Sequence, residues 1–221
     1  MLPAILSILL AAPGISATGR IDGTVTVTEK GRPRADASGI VVWVDGAHGG
    51  DGRKRELPRM TSLHKKFVPR VVAVEAGEAV AFPNQDAIFH NVFSVSGENR
   101  FDLGLYRQGK SREKAFAAPG LVRVYCNIHP QMVGYVRVVD SSFYAVTGPD
   151  GRFSFDEVPA GERTVKAWSE EGGEFSATAL VRPGSPAKAA LAVDTSGFRS
   201  EPHKNKFGKD YPPPPADEER Y

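Results

Sequence analysis

The chain has 221 residues, a formal net charge of +2, five histidines, three methionines and a single cysteine. Its length allows one large or two small domains. The near-neutral balance, with no basic stripe interleaved with aromatics, argues against nucleic acid as a partner. One cysteine excludes an internal disulfide, so the thiol is buried and inert, paired between chains, or kept for chemistry.

Residues 1–12 are apolar and lead into Pro13-Gly14-Ile15-Ser16-Ala17. This pattern predicts a signal peptide over 1–17, removed near Ala17, with an uncleaved anchor as the alternative. Its apolar run is shorter than the ~20 residues that span a bilayer. No later stretch is apolar enough, so no membrane span is expected after cleavage.

Gly23–Thr28 alternates at period two, and Ile40–Val44 is β-branched, with a Gly31-Arg32-Pro33 turn between. Both predict strands. Residues 45–53 are Gly-rich and read as a crossing. A second series of strands is expected at Phe67–Val74, Ala79–Phe82, His90–Val95, Ser111–Phe116, Leu121–Tyr125 and Tyr135–Val139, with a turn at Pro119-Gly120. After Asp140, a Pro149-Asp150-Gly151 turn leads to a strand at Arg152–Phe155. Val158–Gly161 turns again before strands at Arg163–Trp168 and Phe175–Val181. No stretch keeps a helical period, so the expected class is all-β. From Ser196 the composition predicts an extended, Pro-rich tail over 196–221.

The chemistry concentrates in Cys126-Asn127-Ile128-His129-Pro130-Gln131-Met132, with His90-Asn91 upstream. Two imidazoles, a thiolate and a thioether are the donors of a trigonal His₂Cys copper site with a weak axial Met. Zinc fits less well, since a thioether is a poor zinc ligand. The candidate metal ligands are therefore His90, Cys126, His129 and Met132, for one type 1 copper ion. Pro130 restricts His129 and stiffens the loop. Asn91 is a candidate brace, hydrogen-bonding across to the cysteine loop, or an ordinary strand-edge residue. Phe82, Phe89, Phe93 and Tyr125 serve either to keep the metal dry or simply as core. His48 is expected on a loop, His64 on a strand surface and His203 in the tail, none of them a ligand. Met60, Trp43 and Trp168 read as structural.

Asn84-Gln85-Asp86, His90-Asn91-Val92 and Cys126-x-x-His129-Pro130-x-Met132 resemble the cupredoxins of the plastocyanin and amicyanin group, with the short amicyanin-like His-to-Met gap. Phe67-Val68-Pro69, Phe101–Tyr106 and Val124–Met132 make the stretch similar to bacterial methylamine-utilisation-protein-like cupredoxins. The resemblance implies a Greek-key cupredoxin β-sandwich over 55–140 with a type 1 site that carries single electrons in the periplasm. Asn127 is a departure, since many relatives carry a small hydroxyl residue there. A second resemblance joins Gly23-Thr24-Val25, Gly31-Arg32-Pro33 and Ile40–Val44 to Asp150–Phe155 and Val158-Pro159-x-Gly161. These are similar to the carboxypeptidase regulatory-like, or prealbumin-like, immunoglobulin-like β-sandwich. It implies one smaller sandwich made of 19–46 and 141–195, split by insertion of the copper domain. The alternative gives 19–46 to the cupredoxin itself.

The expected function is that of a blue copper carrier between redox proteins, not an enzyme. Basic residues outnumber acidic ones over 53–140, which favours partners with an acidic docking face. The alternative is copper storage, delivery or resistance without redox turnover, although no Met-rich or His-rich tract is present. A copper enzyme would need a further site, and no H-x-H motif offers one.

Overall fold

A computed structural model describes residues 17–50, 55–200 and 202–212. All but Ala17 of the expected signal peptide, and all but Pro212 of the Pro212–Pro215 run, lie outside the described residues.

The chain is all-β. It opens with β1 (Thr18–Glu29), β2 (Arg32–Pro33) and β3 (Val41–Val44). Then come β4 (Thr61–Leu63), β5 (Lys66–Val68), β6 (Val71–Glu75), β7 (Ala79–Pro83) and β8 (His90–Ser94). A single helical turn at Gly97–Asn99 precedes β9 (Phe101–Tyr106), β10 (Ser111–Ala115), β11 (Gly120–Tyr125) and β12 (Val133–Val139). The chain closes with β13 (Tyr144–Val146), β14 (Arg152–Pro159), β15 (Gly161–Ser169), β16 (Gly173–Val181) and β17 (Ala187–Asp194). The Phe67–Val74 run divides at Pro69-Arg70, because proline has no N–H to offer a ladder. β17 is a strand that the sequence reading did not assign, although its residues alternate buried and exposed at period two.

Strand pairing sorts these elements into two sandwiches. β1 pairs antiparallel with β14 and parallel with β17, so the first strand of the chain lies between two of the last. The facing sheet runs β13-β3-β15-β16. Ile21, Val25, Val42, Val44, Phe153, Val165 and Leu191 share the core between these sheets. Strands from the middle of the chain form the other sandwich, a β6-β12-β11-β8-β9 sheet facing the β10-β7 pair. Its core holds Met60, Phe82, Val92, Phe116, Val124 and Val136, together with Cys126 and Met132. Gly151 needs to be glycine: its φ is +67°, and a Cβ there would lie 2.2 Å from the Val25 carbonyl oxygen.

β3 explains its own unbroken apolar run. Val42 and Val44 point into the first core, whereas Val41 and Trp43 point out of it, onto Val71, Ala73, Val139 and Trp168. A strand buried on both faces does not alternate. Polar bonds ring this junction. Arg70 donates two hydrogen bonds of 2.6 Å to the Glu170 carboxylate, and Tyr135 Oη donates a third at 2.9 Å. Arg137 lies 4.6 Å from the Trp43 ring centroid and donates to Glu174. His48 sits between Glu75 and Asp140, at 3.2 Å from each.

Burial disfavours the Glu170 carboxylate, but its bonds from Arg70 and Tyr135 outweigh that and hold its pKa below the ordinary value. A depressed carboxyl stabilises the fold above the ordinary carboxylate range and loses that contribution as pH falls through it. Glu170→Gln is therefore expected to cost about 1 kcal/mol at neutral pH, a modest figure because Arg70 is half-exposed. In urea unfolding at a series of pH values, the gap between wild type and variant should close as the solution is acidified.

Candidate metal centre

Three side chains converge at one end of the second sandwich. Cys126 directly follows β11, so the sheet fixes its sulfur; it is fully buried. His90 begins β8, which pairs with β11 through Phe93 and Tyr125, and it is also fully buried. His129 lies in the loop between β11 and β12 and is partly exposed. Cys126 Sγ is 3.7 Å from His90 Nδ1 and 3.6 Å from His129 Nδ1. One ligand atom from each of the three residues lies within 4.8 Å of the others. The loop turns tightly, with Met132 N–H donating to the His129 carbonyl at 3.0 Å and Cys126 N–H to the Met132 carbonyl at 3.3 Å. Met132 is fully buried and packs in the same core cluster as Cys126.

Electrostatics at the sulfur are mixed. Burial pushes the Cys126 thiol pKa up, while backbone N–H groups of Ile128, Asn91 and His129 pull it down. Those N–H groups favour negative charge on sulfur, which is the state that binds a metal. On the far side of the first imidazole, His90 Nε2 donates to Asp86 Oδ2 at 2.7 Å. That bond leaves Nδ1 as the acceptor facing the sulfur, the arrangement found behind metal-ligating histidines. Asp86 itself accepts from the backbone N–H of His64 at 2.6 Å and of Lys65 at 2.9 Å. Both of these residues have φ of +54°, so Asp86 secures a left-handed two-residue turn between β4 and β5. His64 thus lies in this turn and not on a strand surface.

Other expectations at the site need adjusting. The Asn91 side chain donates to Asp102 Oδ1 at 2.6 Å rather than to the cysteine loop; the contact to the cysteine is made by its main-chain N–H. Pro130 is exposed, and its carbonyl accepts from His203 Nε2 at 2.7 Å. Phe82 and Phe93 are buried, but Phe89 is 55% exposed and cannot dry the site. Met60 is core, and Trp43 and Trp168 belong to the junction between sandwiches. Asp86 was not singled out from the sequence as a partner of the site. Its signal was a carboxylate four residues before His90, a spacing too common to be read alone.

Two nitrogen donors, a sulfur that can be ionised and a buried thioether suit copper better than any harder cation. Thirty-six per cent of 76 aligned residues are identical to amicyanin-alpha of Methylorubrum extorquens, a match covering 33% of this chain and 64% of that protein. The middle of the chain is thus similar in sequence to a cupredoxin. It spans a little under two thirds of the length of that curated relative. The purple cupredoxin from Nitrosopumilus maritimus aligns over 37% of this chain and 98% of its own, at 22% identity and a TM-score of 0.34. The copper-containing nitrite reductase from Thermus scotoductus aligns over 41% of this chain and 24% of its own, at 24% identity and a TM-score of 0.36. No family model matches the chain.

The approach to the site rests on Asn84, which is buried. Its Nδ2 donates to the carbonyls of Ile88 at 2.8 Å and Tyr106 at 3.0 Å, and its Oδ1 accepts from Asp86 N–H at 2.9 Å. Asn84→Ala leaves these groups without their partner, so a loss of about 3 kcal/mol is expected. The midpoint of guanidinium unfolding of the metal-free protein checks it.

Proposed function

We propose that the protein carries single electrons between redox partners through one type 1 copper held by His90, Cys126, His129 and Met132. The observation that supports this most strongly is the convergence of two imidazole nitrogens on a buried thiol, each within 3.7 Å of it. When bound, copper supplies one-electron oxidation and reduction. The protein's part is to keep the ligands in one geometry for both charge states. Asp86 orients His90, two strand ends fix His90 and Cys126, and Pro130 stiffens the loop before Met132. Four donors leave no position for a substrate, which supports a carrier and not a catalyst. Among the described residues, His90, Cys126 and His129 are the one group of three or more His, Cys, Asp or Glu with metal-ligand spacing.

His129 offers the exit for the electron, because it is the partly exposed ligand. Ile88, Phe89, Leu105 and Ile128 flank the ligands in sequence or register and are each at least 40% exposed. Such exposed apolar residues suit a short-lived protein contact. The basic excess over 53–140 favours a partner with an acidic docking face. The apolar run at 1–12 supports export to the periplasm. Among the described residues no helix is long and apolar enough to cross a membrane. The smaller sandwich, similar to carboxypeptidase regulatory-like domains, is read as a spacer or docking module.

Reconstitution with Cu(II) should give a strong visible thiolate-to-copper band that Cys126→Ser abolishes. A colourless protein, or a band that survives the substitution, would overturn the assignment. Fast electron self-exchange is expected; slow self-exchange with easy metal release would instead mark a copper store. Asp86→Asn should weaken copper binding by about 10- to 100-fold in a chelator competition, because it loosens the hold on His90.

A further inference from the structure

The described residues late in the tail do not trail into solvent. Residues 202–212 return to the second sandwich and lie along the ligand loop. His203 stacks on Tyr125, the residue before Cys126, with ring centroids 4.0 Å apart, and its Nε2 donates to the Pro130 carbonyl at 2.7 Å. Tyr211 Oη donates to the carbonyl of Cys126 itself at 2.8 Å. Between them, Lys206 N–H donates to Asn127 Oδ1 at 3.1 Å. Lys206 Nζ also reaches Asp102 at 2.7 Å, and Asp102 accepts from Asn91, the neighbour of His90. The strap holds its own shape: His203 and Tyr211 meet edge to face at 5.3 Å, and the Asn205 side chain accepts from the main chain of Phe207 and Lys209.

We propose that residues 202–212 form a positioning strap that clamps the Cys126–Pro130 loop and so sets the geometry of the copper ligands. The inference rests on the copper reading above. Three features carry it. The strap bonds to the loop at Cys126, Asn127 and Pro130, which together bracket two of the ligands. It reaches the strand of the third ligand, His90, through Asp102 and Asn91. And it holds the loop by a side chain as well as by carbonyls, since Asn127 Oδ1 accepts from the Lys206 amide at 3.1 Å. A loop tied to a separate element gains rigidity that its own few residues cannot supply. His203, Lys206 and Tyr211 act through the loop, so they are positioning residues.

The test uses the full-length chain and three readouts. Hydrogen exchange of the metal-free protein reports the Cys126, Ile128, His129 and Met132 amides. Release of Cu(II) to a chelator reports the loaded site, and the energy and intensity of the thiolate-to-copper band report its geometry. Tyr211→Phe removes one hydroxyl and is expected to raise both loop exchange and copper release about fivefold, the value of one hydrogen bond. His203→Ala with Tyr211→Phe should raise them further and shift the band. Lys188→Ala, in the other sandwich, should change none of the three. Unaltered exchange, release and band in the double variant would overturn the strap. If the wild type takes up no copper, the carrier reading falls, while exchange in the metal-free protein still decides whether the strap clamps the loop.

Discussion

A thiol sulfur and two imidazole nitrogens face one another at the end of the second sandwich, an arrangement that a cation among them would make strongly attractive. Cys126 Sγ stands 3.6 and 3.7 Å from two imidazole nitrogens, at the end of an apolar core. Without a cation, the thiol keeps its proton against the pull of the surrounding N–H groups, and burial favours that neutral form. With one, the same convergence is attractive. Much of the neighbouring structure serves to keep the three atoms from drifting apart. Strand ends carry two of them, Asp86 holds one ring from behind, and Asn84 holds Asp86.

The hold on each ligand differs in kind. His90 is fixed from a hairpin turn, through a carboxylate that accepts two main-chain N–H groups. Cys126 is fixed by sheet pairing and by main-chain donors aimed at its sulfur. His129 sits on a loop with little depth, and further contacts to this loop come from far along the chain. The site is thus built from three distant pieces of sequence, a common solution when a few loop residues must hold a geometry more sharply than they can alone.

The candidate site stood out in the sequence because it is made of rare residue types at short, fixed offsets, and the structure brings His90, Cys126 and His129 of that set together. The strands were readable where β-branched residues ran between Gly and Pro turns, as at Ile40–Val44 and Ala79–Phe82. What escaped was whatever depends on partners distant in sequence. Nothing in Ala187–Asp194 announces a parallel pairing with a strand more than 160 residues earlier. Asp86 and Asn84 look like ordinary turn residues until the backbone brings them behind His90. The tail is polar, rich in Lys and Pro, and composition reads such a segment as a spacer. Its stacked His203 and the Tyr211 hydroxyl bond are properties of the surface it meets, not of the segment.

Burial of β3 on both sides has a consequence for how the chain comes together. The strand pairs with β13, so the points where the chain leaves the first sandwich and re-enters it are neighbours in one sheet. Closing that gap through a flexible chain would carry the entropy of a long loop. Once the intervening strands have condensed into a sandwich, the same gap is bridged by a rigid body that presents Val71, Ala73 and Val139 to the waiting face of Val41 and Trp43. The two sandwiches therefore share one apolar seam at β3, so a loss of packing in the middle of the chain reaches the strands on both sides of it.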